Sequence, residues 1–70
     1  MFSVIIQNDE KRVVRLQAMG DNGCQYELQE EFYIAGRVNA VKKHGVVARG
    51  KGEDDRQFAM KLLQKVMEQK

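Results

Sequence analysis

Alternation of apolar and polar residues dominates the first half of the chain. FSVIIQ (2–7) is rich in β-branched residues and ends at Asn8-Asp9-Glu10, a polar cluster suited to reversal. KRVVRLQAM (11–19) then places Val14, Leu16 and Ala18 on one face and Val13, Arg15 and Gln17 on the other. Gly20-Asp21-Asn22-Gly23 is the strongest turn signal, because glycine and asparagine reach the positive φ of tight hairpins. CQYELQEEFYI (24–34) resumes the alternation, with Tyr26, Leu28, Phe32 and Ile34 opposite Gln25, Glu27, Gln29, Glu31 and Tyr33. Glu30 falls on the apolar side. A bulge near 29–31 would restore the pattern at less cost than a buried carboxylate.

Residues 31–44 admit both strand and helix. As strands, 37–42 and 46–49 would reverse at Lys43-His44-Gly45. As a helix, Leu28, Phe32 and Ala35 would share a buried side, closed by Gly45 in a left-handed conformation. That helical stripe also takes in Asn39 and Lys42, and Gly36 with β-branched Ile34, Val38 and Val41 disfavours it, so strands are expected.

The last segment, 54–70, changes period. Ala59, Leu62, Leu63, Val66 and Met67 form one arc, with Phe58 and Met60 at its borders and Lys61, Gln64, Lys65 and Glu68 opposite. Asp54 with Gln57 three residues on is a capping-box pattern, and the acid-to-base gradient complements the helix dipole. The expected class is therefore α+β: a small curled antiparallel sheet of four to five strands packed by one C-terminal helix, in the order β-β-β-β-β-α. Residues 1–70 are expected to form a single domain.

Composition narrows the chemistry. A chain of 70 residues that is 43% hydrophobic and 31% charged suits a globular domain with a thin stability margin. One cysteine, Cys24, cannot form an internal disulfide, and with one histidine, His44, it cannot close a zinc site. No metal or cofactor is expected, and the lone thiol points to a reducing, cytoplasmic setting. The opening MFSVII is too short for a signal peptide or a span, so no membrane role is expected.

Net charge is only +2, but it is unevenly distributed. Asp21, Glu27, Glu30 and Glu31 fall in a stretch without a base. Arg37, Lys42, Lys43, Arg49 and Lys51 follow in one without an acid, and Lys11, Arg12 and Arg15 cluster earlier. These residues, with His44, are the candidate nucleic-acid-binding set, since cations on a β-ribbon can track a phosphate backbone of DNA or RNA. Strict alternation would separate Arg37 from Lys42, so a shared patch requires some departure from it. The competing account is that edge strands carry lysine against aggregation.

Other motifs carry less. Gly50-Lys51-Gly52 leads into the helix, but Glu53, Asp54 and Asp55 occupy the place of an anion, which favours capping over phosphate binding. Tyr33 lies among Glu27, Glu31, Gln25 and Gln29, as a rim tyrosine would. Cys24 lacks a neighbouring base, and no catalytic constellation is visible, so an enzyme is not expected. The layout resembles in outline small SH3-like chromatin proteins, and also double-stranded-RNA-binding domains, whose last helix follows a glycine-containing loop. The latter family places lysines where this chain has Glu53, Asp54 and Asp55, so the resemblance carries no functional residue across. The expected role is a non-catalytic nucleic-acid-binding or regulatory domain. The alternative is a protein-interaction module, an inhibitor or assembly factor, contacting a protein partner and able to form a homodimer, with Met60 and Met67 as further contacts.

Overall fold

The structure, a computed structural model, describes residues 1–68, and the side chains of all of these except 21 and 22. Four strands form one antiparallel meander in the order β1-β2-β3-β4, followed by a helix. They are β1 (Phe2–Asn8), β2 (Arg12–Asn22), β3 (Gln25–Ile34) and β4 (Arg37–Ala48), with α1 spanning Asp55–Glu68. The α+β expectation holds, and the strand count settles at four. No helix among the described residues is long and apolar enough to cross a membrane.

The short connections dictate antiparallel neighbours. Asn22 pairs with Gln25, so the β2–β3 reversal runs through Gly23-Cys24, with Gly23 at φ 64°. That is slightly later than the Gly20–Gly23 expectation. At the other end, Ile34 pairs with Arg37 around Ala35-Gly36, at φ 52° and 80°. Two successive positive φ values match the twist of the flanking strands, but alanine has no affinity for that region. Ala35→Asn should therefore stabilise the fold by about 0.5–1 kcal/mol and raise Tm by a few degrees. A thermal melt showing Tm unchanged or lowered would contradict this account of the turn.

The expected reversal at Lys43-His44-Gly45 does not occur. β4 is one continuous strand, and its irregularities are bulges. Between Leu28 and Gln29 the β4 partner skips from Gly45 to Lys43, leaving His44 as the extra residue. Between Phe32 and Tyr33 it skips from Ala40 to Val38, leaving Asn39 extra. The bulge expected near 29–31 of β3 thus lies across the ladder, in β4. Glu30 stays in phase with the apolar face and is buried, its carboxylate 3.0 Å from His44 Nε2. The partner that makes this burial tolerable is brought by the bulge itself.

One face of the sheet receives α1. Leu16, Ala18, Leu28 and Val47 from the sheet meet Phe58, Leu62 and Val66 from the helix, with Phe2, Ile6, Tyr26 and Leu63 around them. Phe58 is the hub: its ring centroid lies 5.3 Å from those of both Phe2 and Tyr26, in tilted arrangements. The helix starts as its sequence indicates, Gln57 N–H donating to Asp54 Oδ1 at 2.9 Å and Asp54 N–H to Gln57 Oε1 at 3.4 Å. Its expected end at residue 70 lies outside the described residues. The core occupies only the end of the sheet near the β2–β3 turn. The end near the β1–β2 and β3–β4 turns extends beyond the helix with its inner face uncovered.

Candidate nucleic-acid interface

Register decides which candidate cations share a surface. On the helix side, Arg12, Ile34 and Arg37 lie side by side across β2, β3 and β4. The next row is Val14, Phe32 and Ala40, and the one after it is Leu16, Glu30 and Lys42. Arg37 and Lys42 thus share a face, against strict alternation, because the extra residue Asn39 between them reverses the parity of the strand. Three exposed cations flank a half-buried phenylalanine and an exposed isoleucine at the sheet end that α1 leaves open. A hollow of about 460 Å³ lies here, lined by Gln7, Arg12, Val14, Phe32, Ile34 and Asn39 among others. Lys11 stands at the same end, its carbonyl accepting the Ala35 N–H at 2.8 Å and joining the two turns.

Acidic residues are sparse on this surface. Glu30 is the one carboxylate that the described strands place on it, and it is buried against His44. Asp9 and Glu10 stand in the β1–β2 turn at the rim, where Gln7 Nε2 donates to Asp9 Oδ2 at 2.9 Å.

The remaining candidates do not join this group. His44 is 3% exposed and lies inside the fold, because its bulge turns the ring toward Glu30. Lys43 pairs with Gln29 and so belongs to the opposite face. Arg15 also faces that side and is committed to an ion pair with Glu31 at 2.6 Å, with Nη2 donating to the Tyr33 hydroxyl at 2.8 Å. Burial alone would push the Glu31 carboxyl up, but hydrogen bonds from Arg15, Gln29 and Tyr33 outweigh it and hold the carboxyl below its ordinary value. The same Glu31 contact raises the Tyr33 hydroxyl, so Tyr33 is tied into a polar network rather than offered as a stacking platform.

Arg49 sits at the helix end of the sheet and works as a clasp. Its Nε and Nη2 donate to the Glu53 carbonyl at 3.2 and 3.0 Å, and Nη2 reaches Asp55 Oδ1 at 2.7 Å. Its guanidinium carbon lies 4.9 Å from the Phe58 ring centroid. Lys51 is exposed in the loop before α1. There the backbone N–H of Gly50 donates to Glu53 Oε1 at 3.2 Å and that of Gln57 to Asp54, so the loop is capped by its own carboxylates. Among the described residues, no cluster of three or more His, Cys, Asp or Glu side chains could hold a metal ion.

Sequence reasoning missed the grouping of Arg12, Arg37 and Lys42, because one unseen bulge inverts the faces. The Arg15–Glu31 pair was legible in principle. A hairpin turning about Gly23 sets these residues opposite each other, eight positions to either side. The His44–Glu30 pair left a weaker trace, an out-of-phase acid in one strand and a histidine-glycine step in the next. Compared with family models, curated proteins and solved structures, the chain matches none of them, so its chemistry rests on this geometry alone.

Proposed function

We propose that this domain is a non-catalytic binding protein that holds single-stranded nucleic acid on the uncovered end of its helix-side face. The observation that carries this reading is the cofacial placement of Arg12, Arg37 and Lys42 around Phe32 and Ile34. A base needs a flat apolar floor, and phosphates need mobile cations beside it. Here the floor lies on β3 and the cations on β2 and β4, about 5 Å to either side of it in strand spacing. Base stacking and phosphate contact could therefore be made together. A half-buried ring at the level of the sheet favours an unpaired strand over a duplex, whose bases are already stacked. Lys11 extends the positive edge beyond the strand ends.

The test is a fluorescence-anisotropy titration of single-stranded DNA, single-stranded RNA and duplex DNA at low salt. Single strands are expected to bind, with log affinity falling against log salt at a slope of about −2 if three phosphates are contacted. The triple variant Arg12→Ala/Arg37→Ala/Lys42→Ala should lose at least ~10-fold in affinity and most of that slope. Phe32→Leu, which keeps the apolar packing and removes the ring, should weaken binding without flattening the salt dependence. Lys43→Ala, on the other face, should change affinity by less than about 2-fold. Absence of binding by all three nucleic acids would end this reading.

A further inference from the structure

The face of the sheet turned away from α1 carries a second surface, independent of the nucleic-acid reading. Its centre is polar, with Glu27, Gln29, Glu31 and Tyr33 along β3, and apolar residues lie to either side. Ile5, Val38, Val41 and Val46 are about half exposed there, with half-buried Val13 and Met19 beside them. Met1 folds over the same side, its Sδ accepting a hydrogen bond from Gln17 Nε2 at 3.1 Å. Gln17 is 8% exposed, yet its Oε1 has no hydrogen-bond partner.

Size adds a separate argument. The accessible surface is 5192 Å², whereas a folded monomer of 8.1 kDa exposes roughly 4,500 Å². The radius of gyration, 12.2 Å, also exceeds the ~11 Å of a compact 70-residue domain. The molecule is elongated, 37 × 23 × 19 Å, and the excess fits a sheet left open both beyond the end of α1 and on this face, where there is room for a further layer.

We propose that this further layer is a second copy of this chain, with the two open faces packed against each other about a two-fold axis. Charge selects this occupant. The charged residues that the described strands place on the open face are Arg15, Glu27, Glu31 and Lys43, which together carry no net charge. A copy can meet itself there without like-charge repulsion, and Lys43 has an opposite charge available in Glu27. The uncovered helix-side end could not self-associate in this way, because Arg12, Arg37 and Lys42 would face their own copies. Pairing along the β4 edge would bring together two strands that each carry Arg37, Lys42 and Lys43 and no acid, across bulges at Asn39 and His44. β1 is only seven residues long and bulged at Ile6.

The area suffices for an isologous contact. Four strands at about 4.8 Å and four alternate side chains at about 6.8 Å give roughly 500 Å² per copy. Together the two copies bury about 1,000 Å², the lower end for a specific interface. Two such faces stack as a sandwich. Both helix-side surfaces then point outward.

Sedimentation velocity between about 1 µM and about 1 mM should show a monomer–dimer equilibrium with a Kd inside that range. Val41→Lys/Val46→Lys, which plants cations in the contact, should raise the Kd at least ~100-fold while the far-UV spectrum stays native. Should that variant fail to fold, Val41→Thr keeps strand propensity and shape and should weaken the dimer by about 10-fold. Met60→Lys/Met67→Lys, on the exposed side of α1, should leave the Kd unchanged. A wild-type monomer at the highest concentration overturns the proposal. So does a dimer whose Kd ignores the Val41 changes or responds instead to Met60 and Met67.

Discussion

Phe58→Ala is expected to cost about 3–5 kcal/mol and to leave much of the chain unfolded at 25 °C. A 70-residue domain has only about 4–10 kcal/mol in total, so one core ring is a large share of it. Phe58 is completely buried and binds three parts of the molecule together. Phe2 of β1 and Tyr26 of β3 pack on it from the sheet, and Arg49 lies across it from the strand-to-helix connection. The sheet cannot close over the resulting void, because the remaining core on α1 is Leu62 and Val66, one and two turns further along. Phe58→Leu should lose a smaller amount, about 1–2 kcal/mol, since only part of the volume is removed. Urea denaturation measures both. A loss under about 1 kcal/mol in Phe58→Ala would mean that α1 is not anchored through this ring.

His44→Ala is the second large effect, at about 2–4 kcal/mol, and its mechanism differs. Little apolar area is lost. What remains is the Glu30 carboxylate, buried between Leu16 and the position of Lys42 with its His44 contact gone. The distinguishing measurement is a double-mutant cycle. If the cost is an orphaned carboxylate, Glu30→Leu/His44→Leu should recover most of the stability lost in either single variant, with a coupling above about 1 kcal/mol. Additive losses would show that His44 acts through packing or through its bulge, and that the Glu30 contact is incidental. Any nucleic-acid binding should fall with this variant, since Lys42 stands directly beside Glu30 in the ladder.

Much of the architecture was legible along the chain. Period-two alternation located β2 and β3 to within a few residues, and the change to helical period, with Asp54 and Gln57 at its start, located α1. Each of these rests on interactions between near neighbours, so local order encodes them. The largest departure was in β4. The Lys43-His44-Gly45 step looks like a reversal, because glycine at positive φ serves a turn and a bulge equally well, and Gly45 does adopt φ 94°. Nothing within the segment tells the two apart. The choice is made by β3, which offers an unbroken ladder and a buried acid for the displaced histidine.

The candidate site followed the same division. Its residue types were visible from composition, since Arg12, Arg37 and Lys42 stand in segments rich in bases. Their assembly was not. Face assignment by counting is valid only until the first bulge, and Asn39 inverts every later position of β4 as far as His44. Arg15 and Arg49 resembled the others in sequence, but their cross-strand and cross-loop partners, Glu31 and Asp55, remove them from the pool of available cations.

The sequence by itself determined β1 to β3 and α1, their order and antiparallel sense, the capped start of the helix and the residues that share a face of β2. Those follow from side-chain period, turn chemistry and connections too short to cross over. Tertiary structure alone decided the continuity of β4, the burial of the Glu30–His44 pair and which cations share a surface. A bulge is a compromise between two strands, so its position is a property of their pairing and of neither strand alone.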